Sequence, residues 1–169
     1  LEFENKQSQM THIQNQTIQH QQINNTINYL NINYGNLQTI EQFIYNLENK
    51  YPLSLEDRKC LLTTYNECGI DAFSDTFSIC MKKNQAQQVA DGQLPAMPIV
   101  CTDGNQRSHK EFNSKGWETT YNNKNIDRMI DISNQQIYES ENEMIYITPK
   151  DRKKIHNRMK KDNTLYNLE

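Results

Sequence analysis

No helix can pass intact through Gly92-Gln93-Leu94-Pro95, and this stop constrains the fold more than any other stretch of the chain. Gly92 suits the left-handed residue that ends a helix, Leu94 can close the hydrophobic contact behind it, and Pro95 prevents continuation. Upstream, Asn84 is a good N-cap and Gln87 stands at the reciprocal capping position, so the spacing predicts a short helix over 84–91. Its small inner face would be Ala86, Val89 and Ala90. Its outer face would be Gln85 and Gln88, with Lys82 and Lys83 at the entry. Downstream, Met97–Cys101 reads as a strand, Asp103-Gly104 as a tight turn, and Gln106–Lys110 as the returning strand.

The rest of the chain divides around this unit. Residues 1–36 form a polar segment rich in Asn and Gln, with isolated Ile13, Ile18 and Ile23 that cannot be buried locally. Such a segment is expected to be disordered or to order by self-association or docking through residues 12–36. Leu30, Ile32 and Tyr34 alternate as in a strand, while Ile23, Ile27, Leu30, Tyr34 and Leu37 also fit a helical seam that Gly35 disfavours. Met10 is a candidate natural start, with Leu1-Glu2-Phe3 as a vector remnant.

A scaffold with a helix-turn-helix and wing is expected over 37–130. Thr39 and Gln42 make a capping box before Ile40, Phe43, Ile44 and Leu47, and Tyr51-Pro52 ends that helix. Ser54 and Asp57 cap a second helix that stops at Gly69. A third helix is expected from Ser74 or Asp75 to Lys82, and a fourth, short one anchored by Phe112, Trp117 and Tyr121. Over 131–169, Ile137-Tyr138 and Met144–Ile147 predict a second hairpin, and Thr148-Pro149 opens a basic helix with Ile155 and Met159 inward. The expected class is α+β, mostly helical.

Composition narrows the function classes. The chain has 169 residues, of which 35% are hydrophobic, so its core is modest. Asn and Gln make up about a fifth of it, a bias that low-GC codon usage produces without functional meaning. The net charge of −3 argues against indiscriminate coating of nucleic acid. That charge is uneven: residues 1–80 carry four basic and nine acidic side chains, and residues 81–169 fourteen and twelve. Lys150–Lys161 holds seven basic residues against Asp151 alone, and reads either as a solvated tail or as a phosphate contact. There is no signal peptide and no membrane-length apolar run, so an intracellular protein without membrane contact is expected.

Catalytic and metal motifs are weak. The four cysteines (Cys60, Cys68, Cys80, Cys101) have no zinc-finger spacing and are expected to be buried free thiols. Cys101 and His109 could make only one ligand pair. Ser108 and His109 adjoin on a predicted strand and would point to opposite faces, so they do not form a nucleophile and base. Glu139, Glu141 and Glu143 are expected to be solvated. No phosphate-binding glycine loop is present. Neither an enzyme nor a cofactor is expected.

A helix leading into a β-hairpin is the outline of a winged helix-turn-helix, in which the helix enters the major groove. Gln pairs bidentately with adenine, and Arg or Lys reaches guanine or phosphate. Ala90-Asp91-Gly92-Gln93-Leu94-Pro95, with Asp103 and Gln106-Arg107-Ser108, resembles the pyocin-activator family of bacterial regulators and, more loosely, the excisionase-type winged helices, over residues 60–125. That resemblance implies gene regulation on duplex DNA, with Lys82, Lys83, Gln85, Gln88, Arg107 and Lys110 at the matching surface. The long terminal additions and one extra wing residue depart from the family pattern. The competing expectation is a non-enzymatic oligomerising subunit or adaptor of a larger assembly.

Overall fold

The computed structural model describes residues 21, 37–90, 92, 97–101 and 107–163. The chain divides into two units, Leu1–Gly35 and Asn36–Glu169. Of the first, Gln21 alone is described, in helical conformation, so the expected self-association segment lies outside the described residues. The second is α+β and mostly helical: α1 (Ile40–Asn49), α2 (Leu55–Cys68), α3 (Ile70–Val89), β1 (Ile99–Val100), β2 (His109–Asn113), β3 (Gly116–Thr120), α4 (Lys124–Glu141) and α5 (Pro149–Asp162). None of these helices is long and apolar enough to cross a membrane.

Local capping sets the helix starts. Thr39 Oγ1 accepts from Gln42 N at 3.2 Å and Thr39 N donates to Gln42 Oε1 at 3.0 Å, closing the box ahead of α1. Ser54 Oγ accepts from Asp57 N at 3.1 Å for α2. Thr148 and Asp151 make the same reciprocal pair for α5, with Pro149 in the first turn. Gly69, at φ +78°, ends α2 and begins α3 by itself, so the two helices form a tight antiparallel hairpin.

The apolar faces then meet. Ile40, Phe43, Ile44 and Leu47 of α1 join Leu61, Phe73, Phe77, Met81, Ile126, Met129, Ile130, Ile137, Ile155 and Met159 in one core. Phe73 stacks on Phe77 and meets Tyr65 edge-on, both at 6.2 Å between centroids. Within this unit α3 lies between α2 and α5, while α4 touches α1, α2 and α5. Buried Gln136 ties the α1–α2 connection to α4: its Oε1 accepts from Leu53 N and its Nε2 donates to Leu47 O. The boundary expected at 130/131 falls inside α4.

Three expectations need correction. The expected break at Lys83-Asn84 does not occur, because α3 is one helix of 20 residues. Its inward row Phe73, Phe77, Met81, Asn84, Gln88 keeps the 3.6-residue period through the change from apolar to amide side chains. The fourth helix at Phe112 and Trp117 is instead an antiparallel pair of strands, Phe112 facing Trp117 across a turn at Ser114-Lys115. There Asn113 Oδ1 accepts from Lys115 N at 2.8 Å and Gly116 sits at φ +105°. The second hairpin is absent: Ile137-Tyr138 continues α4, and 143–148 has no regular secondary structure. Its place is taken by one side chain, since Asn134 Nδ2 donates to Ile145 O at 2.7 Å and Asn134 Oδ1 accepts from Ile145 N at 2.9 Å.

Gly92 behaves as expected: it adopts φ +81° and its N–H donates to Val89 O at 2.9 Å. Leu94, Pro95 and the Asp103-Gly104 turn lie outside the described residues. Strand β1 pairs antiparallel with β2 (Ile99 opposite Glu111, Val100 opposite Lys110), giving the order β1-β2-β3. Asn134→Ala leaves both backbone groups of buried Ile145 unpaired, and is expected to cost about 2–3 kcal/mol in urea unfolding. A loss below about 0.5 kcal/mol would show that the 143–148 segment is held by packing alone.

Candidate nucleic-acid interface

The amides expected to read bases point inward. Gln85 is 6% exposed and Gln88 is 1% exposed, whereas Ala86, expected on the inner face, is exposed. Starting the helix at Ile70 fixes its phase, and that phase turns Gln85 and Gln88 into the protein. Gln88 Oε1 accepts from Gln38 Nε2 at 2.8 Å, and Gln38 Oε1 accepts from Asn46 Nδ2 at 3.1 Å. The side-chain N–H groups of Asn84, Gln85 and Gln88 are buried without a partner. Gln85 and Gln88 are thus buried rather than on the outer face expected for them.

The two lysines are exposed but occupied. Lys83 Nζ lies 3.1 Å from Asp57 Oδ1, a hydrogen bond that raises its pKa, and Lys82 Nζ lies 4.0 Å from Asp162 Oδ2. Nearby, Cys80 is pushed up to about 12, first by burial and then by the Asp57 carboxylate, which keeps its thiol protonated. Cys101 is also buried, but Cys60 and Cys68 are exposed on α2, against the expectation of four buried thiols. Helix α2 buries Leu61 and leaves most of its other side chains at the surface.

The basic C-terminal helix is neither a free tail nor a free phosphate site along its inner side. Arg152 pairs with Asp127 at 3.1 Å and with Asp131, Lys154 with Asp71 at 2.9 Å, and Arg158 with Asp75 at 3.2 Å. Asp71 and Asp75 are one turn apart on α3, and Asp127 and Asp131 one turn apart on α4. The basic side chains of α5 thus find acidic partners on α3 and α4. His156 completes the α4 contact, with Nε2 at 2.8 Å from Asp127 Oδ1.

Arg107 and Lys110 stand apart from this system. Arg107 is exposed just before β2, and Lys110 is half-exposed within it, opposite Val100 and Thr119. Arg107, Lys110, Lys115 and Lys124 form no ion pair among the described residues. Alternation gives the sheet two faces. Ile99, His109, Glu111 and Glu118 share one: His109 Nε2 lies 2.9 Å from Glu111 Oε1, and Asn125 Nδ2 donates to Glu111 Oε2 at 2.7 Å. Val100, Lys110, Thr119, Phe112 and Trp117 share the other, where the two rings lie 5.5 Å apart at 57°. Among the described residues that face carries no carboxylate. Sequence reasoning placed Arg107 and Lys110 on the hairpin but missed the ring pair; the signal was the alternation Lys110-x-Phe112 and Trp117-x-Thr119 around an Asn-x-x-Gly turn.

Two open grooves lie elsewhere. One of about 480 Å³ is lined by Gln38, Glu41, Gln42, Tyr45 and Asn46, and one of about 460 Å³ between α1 and α4 includes Glu48, Arg128, Asp131 and Glu139. Both linings are net acidic, which disfavours phosphate. Among the described residues no group of three His, Cys, Asp or Glu could hold a metal ion. No family model, curated protein or solved structure matches the chain.

The α4–α5 contact predicts a pH dependence. Burial, outweighing the Asp127 hydrogen bond, holds the His156 pKa below its ordinary 6.5. The unfolded chain therefore takes up this proton more readily, and stability present above about pH 6.5 is lost as pH falls through and below it. Asp151, held below 3.8 by Thr148, adds a separate loss only at lower pH. The urea midpoint should fall between about pH 7.5 and 5.5, and His156→Gln should flatten that change. An equal pH slope in the variant would locate the effect elsewhere.

Proposed function

We propose that this chain is a non-enzymatic nucleic-acid-binding protein acting in regulation, and that it makes contact through its three-stranded sheet rather than through α3. One observation carries the reading: Lys82 and Lys83 of α3 and Arg152, Lys154 and Arg158 of α5 are engaged by carboxylates, whereas Arg107, Lys110, Lys115 and Lys124, within or beside the sheet, have no acidic partner among the described residues. A local basic patch on a net acidic chain attracts phosphate at one place and avoids general coating. The sheet follows the helical hairpin as a wing does, and wings contact backbone phosphate.

A second reading, the oligomerising subunit or adaptor, is favoured by exposed Tyr45, Leu55, Ile79, Tyr121, Tyr138, Met144 and Tyr146. Large apolar side chains at the surface suit a protein partner when they are contiguous.

Duplex-DNA binding across a salt series separates the two. The sheet reading expects affinity to fall steeply with salt. Arg107→Glu combined with Lys110→Glu should weaken binding at least about tenfold and reduce the salt slope by about two. Lys82→Glu with Lys83→Glu should change it far less. Failure of duplex and single strands alike to bind at low salt, with sedimentation showing a stable oligomer, would favour the adaptor.

A further inference from the structure

We infer that the outer face of the sheet takes single-stranded nucleic acid, with bases stacking on the Phe112–Trp117 pair and Lys110 contacting the adjoining phosphate. This rests on the sheet being the nucleic-acid contact and specifies which form it takes. The cross-strand register sets Phe112 directly opposite Trp117 and Lys110 directly opposite Thr119, so rings and ammonium occupy consecutive positions of one face. Among the described residues, neither ring belongs to the hydrophobic core or to the side chains packed against it. They are half-buried and tilted at 57°, and the indole Nε1 is buried without a hydrogen-bond partner. Beyond the strand end the same alternation reaches Tyr121, which is 77% exposed.

Charge supports the same occupant. Glu111 and Glu118, opposite each other, lie on the other face, where they bond to Asn125 and Asn113. A polyanion meeting the outer face thus encounters Lys110 there and Lys115 at the β2–β3 turn, without a carboxylate between the strands. In a duplex, the π-faces of the bases are covered by their neighbours, so a duplex offers this surface phosphates and groove edges but no free base face. A single strand offers phosphates and free base faces together, and base–aromatic stacking tolerates any sequence. At about 3.3 Å per residue, Trp117 to Tyr121 spans about 13 Å, a track for a few nucleotides.

Trp117 is the chain's one tryptophan, so intrinsic fluorescence reports directly on this face. The full chain is titrated at low salt with an oligothymidylate of about twelve residues, a length within the usual site sizes, and with a duplex of equal length. Saturable quenching by the single strand, binding at least about tenfold tighter than the duplex, is the expected result. Phe112→Leu should weaken single-strand binding about tenfold and Lys110→Gln about fivefold, each with an unchanged circular dichroism spectrum. Binding of either form without quenching, or equal affinity for duplex and single strand, would overturn the stacking inference while leaving the sheet as a nucleic-acid contact. No binding of either form would overturn both. If Phe112→Leu unfolds the chain, Lys110→Gln and the wild-type comparison of the two strand forms still decide.

Discussion

The seam along which α5 lies on α3 and α4 is the contact on which the rest depends. Ile155 and Met159 are fully buried there, and full burial of such side chains is worth about 1.5–3 kcal/mol each. The flanking ion pairs of Lys154 and Arg158 with Asp71 and Asp75 are largely exposed, and such pairs contribute roughly 0–1 kcal/mol. Apolar burial therefore holds the helix, while the charged pairs choose its register. A shift by one turn would separate Arg152 from Asp127 and Asp131.

That seam also decides where positive charge remains available. A segment with seven basic residues looks like the obvious polyanion site, yet Arg152, Lys154 and Arg158 are paired with carboxylates of α3 and α4. The sheet contains fewer bases, but its geometry separates them from acid. Glu111 and Glu118 fall on one side and Lys110 on the other because a strand turns successive side chains to opposite faces. Low total charge and a locally basic surface are thus compatible.

Helix α3 shows how phase can reverse a reading of side chains. Taken alone, 84–91 favours Ala86, Val89 and Ala90 as the inner face. Joined to Ile70–Lys83, the same residues rotate with the Phe73, Phe77, Met81 stripe, and Gln85 and Gln88 go inside. Covering an amide N–H without a partner costs about 1–3 kcal/mol. Continuity with the apolar stripe of a 20-residue helix, and the Gln88–Gln38–Asn46 chain of bonds, offset that cost.

What the sequence determined by itself lies within one helical turn or one β-turn. The caps at Thr39, Ser54 and Thr148, the positive φ of Gly92, and the inward places of Ile155 and Met159 follow from residues three or four apart acting on each other. Of the return expected over Gln106–Lys110, only His109 and Lys110 fall in a strand, and Gln106 lies outside the described residues. Tertiary structure decided the phase of α3, the replacement of a hairpin by Asn134 bonding Ile145, the pairing of α5 with acid from two other helices, and the placement of Phe112 against Trp117. Each depends on partners distant in sequence or on competition between two locally acceptable patterns. Local propensity separates such patterns by less than the burial and pairing free energies that tertiary contact supplies.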